Sequence, residues 1–121
     1  MKAILVTGGR NYGNMDHVYR VLDAAKPDFI IEGGCPTGAD AFARNWAENR
    51  GVQYATVPAL WNKLGKPARP LRNSAMVLLL KALETSGMQC IVYAFPGGVG
   101  TTNCVSVARG SGLLVEEKAD T

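Results

Sequence analysis

Cysteine and histidine are scarce in this chain: three cysteines and one histidine in 121 residues. The cysteines are odd in number and have no paired spacing, which argues against a disulfide framework or a zinc site and for a reducing compartment. The protein is therefore expected to be cytoplasmic and to carry neither metal nor cofactor. Long apolar runs are also missing. Lys2 is followed by only four apolar residues before Thr7, too few for a signal peptide, and Met76 to Leu80 is too short to span a bilayer, so no membrane partner is expected. Aromatic residues form 7% of the chain, few for a surface that stacks single-stranded bases. Acidic residues are absent between Glu48 and Glu84, where Arg50, Lys63, Lys66, Arg69, Arg72 and Lys81 are all basic. The net charge is only +3, yet a one-sign stretch concentrates anionic ligands locally. The length suits one domain, residues 1–121, with a continuous core.

What the chain does have is a series of short, continuous, β-branched runs alternating with segments of helical period, the pattern of parallel strands buried on both faces. Strands are read near Ala3–Val6, Phe29–Ile31, Tyr54–Val57, Cys90–Phe95 and Leu113–Val115. Val18, Val21, Leu22 and Ala25 recur at helical spacing between the first two, as do Ala39, Phe42, Ala43 and Trp46 between the next two. This alternation predicts an α/β, Rossmann-like doubly wound parallel sheet of about five strands in the order 3-2-1-4-5. After a long connection from Pro58 to Pro70, a helix from about Leu71 to Glu84 is apolar around more than one face. A second face of that kind is expected to bury itself in another copy, giving a homo-oligomer through the helix near Met76–Leu83. His17 is read as solvent-facing, and Glu116 to Thr121 as a frayed polar tail.

Three glycine loops follow strand ends: Thr7-Gly8-Gly9-Arg10, Gly33-Gly34-Cys35-Pro36-Thr37-Gly38 and Pro96-Gly97-Gly98-Val99-Gly100-Thr101. Glycines let the backbone turn and approach a ligand, and the unpaired N–H groups of a following helix attract anions, so a phosphorylated ligand is expected. Two nucleotide signatures are excluded. Gly8 to Gly13 has P-loop spacing, but Asn14-Met15 stands where Lys and Ser/Thr are required, and the loop after the fourth strand lacks the third glycine of the dinucleotide fingerprint. Arg10 suits bidentate anion binding, whereas Tyr12 and Trp61 suit base stacking. Asp40, three residues after Thr37, is either a ligand contact or half of a helix capping box. Cys35 and Cys104 are read as small packing residues, and Trp46 as core.

The chain resembles the SLOG superfamily of Rossmann-like domains, most closely its short YspA-like members. The resemblance runs from Val6 to about Val115. It rests on the three loops quoted above, with Tyr12, Glu32, Ala39-Asp40, Trp46-Ala47, Pro58-Ala59-Leu60-Trp61, Gly65-Lys66, Pro70-Leu71-Arg72-Asn73 and Met76. It implies binding of a nucleotide-derived molecule that is ADP-ribose-, NAD- or nucleoside-monophosphate-like. The ligand residues it implies, with the loops, are Gly8, Gly9, Arg10, Tyr12, Gly33, Gly34, Gly38, Asp40, Trp61, Arg69, Arg72, Asn73, Pro96, Gly97, Gly98, Gly100 and Thr101. The enzymatic branch, the LOG-type phosphoribohydrolases, carries Pro-Gly-Gly-x-Gly-Thr-x-x-Glu, and here Cys104 occupies the glutamate position. A thiol cannot replace a carboxylate at an oxocarbenium-like transition state. A sensor or sequestering module is therefore expected. The alternatives are a nucleoside-monophosphate phosphoribohydrolase, with Arg72 and Glu32 as candidate catalytic residues, and a single-stranded nucleic-acid binder like the family's DNA-processing relatives.

Overall fold

A computed structural model describes residues 1–120. Its elements run β1 (Lys2–Thr7), α1 (Met15–Ala25), β2 (Phe29–Glu32), α2 (Gly38–Arg50), β3 (Gln53–Thr56), α3 (Trp61–Leu64), α4 (Ala68–Thr85), β4 (Gln89–Ala94), α5 (Val99–Gly110) and β5 (Leu114–Glu117). The five strands form one sheet in the order β3-β2-β1-β4-β5, every pairing parallel. The expected α/β, Rossmann-like order is therefore the observed one.

Alternation along the strands divides the core. Ile4, Val6, Ile30, Ile91, Tyr93 and Phe95 meet Val18 and Leu22 of α1 and Ala39, Ala43 and Trp46 of α2 on one face. Ala3, Leu5, Ile31, Cys90 and Val92 meet Met76, Val77 and Leu80 of α4 and Cys104 and Ala108 of α5 on the other. Two covered faces explain why the central strands read as unbroken apolar runs. Trp46 is core as expected, and its indole N–H donates to Asp23 at 2.9 Å. Local signals set the helix ends. Asn14 caps α1 by accepting the His17 N–H at 3.1 Å, and Gly51 closes α2 in the left-handed conformation at φ 68.

Three local expectations change. Helix α4 begins at Ala68 rather than Leu71, since Pro70 falls in the first turn, where its missing N–H breaks no helical bond. The preceding connection holds the short helix α3. As a result Arg69 and Arg72 sit one turn apart on the same helix. His17 does not face solvent: its side chain is 12% exposed, its ring lies edge-on to Phe95 at 5.7 Å, and Nε2 is 3.1 Å from the Lys118 carbonyl. The tail is not frayed over the described residues. Glu116 and Glu117 complete β5, the Lys118 N–H donates to the Ala94 carbonyl, and Asp120 accepts from Tyr12 and Asn14. Charged residues there do not signal a loose end because β5 is an edge strand with one solvated side.

On α4, Asn73, Met76, Val77 and Leu80 are buried, whereas Leu71, Ala75, Leu78 and Ala82 are exposed. The exposed residues recur at i, i+4, i+7 and i+11, one uncharged stripe along the helix. No helix among the described residues is long and apolar enough to cross a membrane.

Candidate functional site

Strands β1 and β4 are neighbours, and the connections leaving them enter helices on opposite faces of the sheet, which opens a crevice at their carboxyl ends. The cavity there measures about 820 Å³, within the range of small-molecule sites. The loops after β1, β2, β3 and β4 all reach it.

Most of the glycines in these loops serve loop-to-loop packing. A Cβ on Gly8 would lie 2.5 Å from the Ala39 side chain, one on Gly97 would strike Thr101, and one on Gly38 would strike the Gly9 carbonyl. Gly38, also held at φ 73, is buried behind the cavity and does not line it. The loops are joined by hydrogen bonds: Gly9 N–H to Pro96 O at 2.9 Å, Ala39 N–H to Gly9 O at 3.3 Å, and Thr37 Oγ1 to Arg10 O at 2.8 Å. That last bond decides the capping-box question, because Thr37 makes no side-chain cap to α2 and Asp40 bonds elsewhere.

Gly98 differs from its neighbours. It sits at an ordinary φ of −101 as the N-cap of α5, without a side-chain cap, and a Cβ there would meet no atom within 4 Å. Its bare backbone leaves open space in front of the helix N-terminus, where the N–H groups of Val99, Gly100 and Thr101 have no side-chain acceptor among the described residues.

Of the expected ligand residues, Gly8, Gly9, Arg10, Tyr12, Gly33, Gly34, Asp40, Trp61, Arg69, Arg72, Asn73, Pro96, Gly97, Gly98, Gly100 and Thr101 all line the cavity. Asn11, Thr37, Pro58, Ala59 and Met76 line it too and were missed; Pro58 and Ala59 had a signal, the long connection after β3. Arg10, Arg69 and Arg72 lie within 4 Å of no carboxylate among the described residues. Arg72 is nonetheless held in place. Nη1 donates to Gly33 O, Nε donates to Asn73 Oδ1 at 2.9 Å, and buried Asn73 donates to Gly100 O at 3.1 Å and Asn103 Oδ1 at 2.9 Å. Trp61 is 45% exposed at the cavity wall. Tyr12 is more committed: its ring packs on Phe42 and Phe95, and its hydroxyl donates to Asp120, with burial and that partner raising its pKa.

The candidate carboxylates separate clearly. Glu32 is fully buried and does not line the cavity; it accepts from Gly34 N–H at 2.6 Å, from Arg44 at 2.9 Å and from the Thr56 hydroxyl. Both carboxylate oxygens are thus occupied by partners from the loop, α2 and β3. Cys104 is fully buried as well, and burial chiefly pushes its thiol up to about 11, so it supplies neither carboxylate nor thiolate. Asp40 is the one acidic residue lining the cavity. Burial first, and the Glu32 charge second, push it up to about 6.

A parallel sheet of this order with a glycine-loop crevice at its switch point defines a Rossmann-like domain. The family model for the YspA, cpYpsA-related SLOG family matches residues 2–64, more than half of the chain, and the chain belongs to that family. Membership links it to nucleotide-related Rossmann-like domains. Among solved structures, the C-terminal domain of a hydrogenase from Pyrococcus furiosus is similar, at 17% identity and a TM-score of 0.53, over 96% of this chain and 90% of that one. That likeness concerns the fold alone. No curated protein matches the chain.

Proposed function

We propose that the crevice binds a nucleotide-derived small molecule, of the ADP-ribose, NAD or nucleoside-monophosphate kind, and that the protein acts as a sensor or sequestering module for it. The observation that carries this reading is Gly98: backbone left bare at a helix N-terminus, with space that no other described residue fills within 4 Å of where a Cβ would stand, in a cavity lined by Arg10, Arg69 and Arg72. Helix N–H groups and guanidiniums both favour phosphate oxygens. Trp61 supplies an exposed ring for a base. Binding without cleavage is favoured by the commitment of Glu32 to Arg44 and Thr56 and by the buried thiol at Cys104.

The exposed stripe Leu71, Ala75, Leu78 and Ala82 supports a homo-oligomer through α4, built by these residues and not by the inward-facing Met76, Val77 and Leu80.

Native mass spectrometry of the purified protein, followed by release of any co-purified molecule and titration of AMP and ADP-ribose by calorimetry, tests the reading. A phosphorylated ligand bound at micromolar affinity is expected. Failure to bind phosphate, AMP and ADP-ribose, or steady multiple-turnover release of ribose 5-phosphate from AMP, would overturn it.

A further inference from the structure

The cavity that the arginines make attractive to an anion also contains a carboxylate, and an anion site gains nothing from one. Asp40 is 8% exposed, and no cation lies within ion-pair distance of it among the described residues. Its Oδ2 accepts the Cys35 N–H at 3.3 Å and lies beside Gly33, where a Cβ would come within 2.9 Å of it. The Gly33 backbone N–H also faces the carboxyl, no side-chain donor reaches it among the described residues, and its other oxygen is not sealed from solvent. The neighbouring guanidiniums donate to other acceptors: Arg72, whose charge is felt at Asp40, donates to Gly33 O and Asn73, and Arg44, on Asp40's own helix, donates to Glu32. A buried carboxylate with one oxygen open to a cavity calls for a donor from the ligand. Three guanidiniums in the same cavity oppose a cationic donor, and no group of three His, Cys, Asp or Glu among the described residues comes together to hold a metal. A neutral hydroxyl next to a phosphate satisfies both demands.

We propose that Asp40 accepts a hydrogen bond from a sugar hydroxyl of the ligand and thereby makes the cavity select ribose over deoxyribose phosphates. This rests on the reading of the crevice as a phosphorylated-ligand site and adds to it a specificity-determining residue. Selection should depend on pH, since a protonated carboxyl is a poorer acceptor. Besides burial, the groups that set its charge are Glu32 on β2, Arg72 on α4 and the Cys35 and Gly33 backbone N–H groups in the loop after β2; the Cys104 thiol on α5, which feels the Asp40 charge, stays neutral over this range.

The test is calorimetry at pH 8 with inorganic phosphate, AMP, 2′-deoxy-AMP and 3′-deoxy-AMP as probes, on the wild type and on Asp40→Asn and Asp40→Ala, each checked for folding by its melting curve. A hydrogen bond to a charged acceptor corresponds to about a ten- to hundred-fold change in affinity. The wild type should therefore bind at least one deoxy form more weakly than AMP by that factor. Asp40→Ala should bind AMP and both deoxy forms alike and still bind phosphate, since losing a negative charge does not oppose an anion. The wild-type preference should shrink toward pH 5. Equal affinities for AMP and both deoxy forms in the wild type, with phosphate bound, would overturn the role of Asp40 and leave the phosphate site standing. An undiminished preference in Asp40→Ala would do the same. If no probe bound at all, both readings would fall together.

Discussion

Replacing Asp40 by Asn is expected to stabilise the ligand-free protein at neutral pH and to change nothing at pH 4. Burial and the nearby Glu32 charge push the Asp40 carboxyl up to about 6, against the opposing pull of the Cys35 N–H and Arg72. A carboxyl whose pKa is higher in the folded chain than in the unfolded one adds stability that is complete below the unfolded value, near pH 4, and is lost as pH rises through about 6. At roughly 1.4 kcal/mol for each tenfold change in acidity, the rise from near 4 to about 6 corresponds to about 3 kcal/mol. Asn keeps the shape and the acceptor for the Cys35 N–H without the charge. Urea denaturation of the two proteins should give equal stabilities near pH 4, curves that separate between about pH 4 and 6, and a plateau above that with the variant ahead by up to about 3 kcal/mol. The matching difference in melting temperature is roughly 10 °C for a chain of this size. A difference that stayed constant from pH 4 to 8 would refute the reasoning, since only a titrating group produces the bend.

Gly98→Val should melt like the wild type, because the added atoms enter open space, yet it should lose AMP and phosphate binding in calorimetry; wild-type affinity would move the anion away from α5. Arg72→Ala should weaken AMP binding by about ten- to a hundred-fold. It should also lower stability by about 1 kcal/mol in urea titration, since Gly33 O and Asn73 lose a donor. Leu78→Glu, on the exposed stripe of α4, should yield a monomer in sedimentation while the wild type is larger; a wild type that sediments as a monomer at micromolar concentration would remove the reason for the stripe.

The sheet order was readable because it depends on the period of apolar residues, and a strand covered on both faces cannot hide its pattern. Ala3 to Val6 and Cys90 to Phe95 are such strands, and the structure moves their ends by a residue or so. The edges were harder. Proline at position 70 reads as a boundary, yet the first turn of a helix accepts it, and only the folded chain shows that Arg69 belongs to α4. His17 and the tail were misread for a shared reason: their partners are about a hundred residues apart in sequence, and local pattern carries no trace of such a pairing. At the crevice the glycines were legible as loops, whereas their different duties were not. Whether a glycine packs against another loop or leaves room for a ligand depends on what stands opposite, as Gly38 and Gly98 demonstrate.

The bonds that tie Gly9 to Pro96 and Ala39, and Thr37 to Arg10, have a kinetic meaning. Loops fixed to one another before any ligand arrives lose little further freedom when it does, so association need not wait for a closing motion. A signal molecule at low concentration would then be captured at a rate governed by encounter and by the attraction of the arginines for its charge, and its residence time would set the affinity. For a sensor this means a prompt response to a rising concentration, with the memory of the signal held entirely in the off-rate.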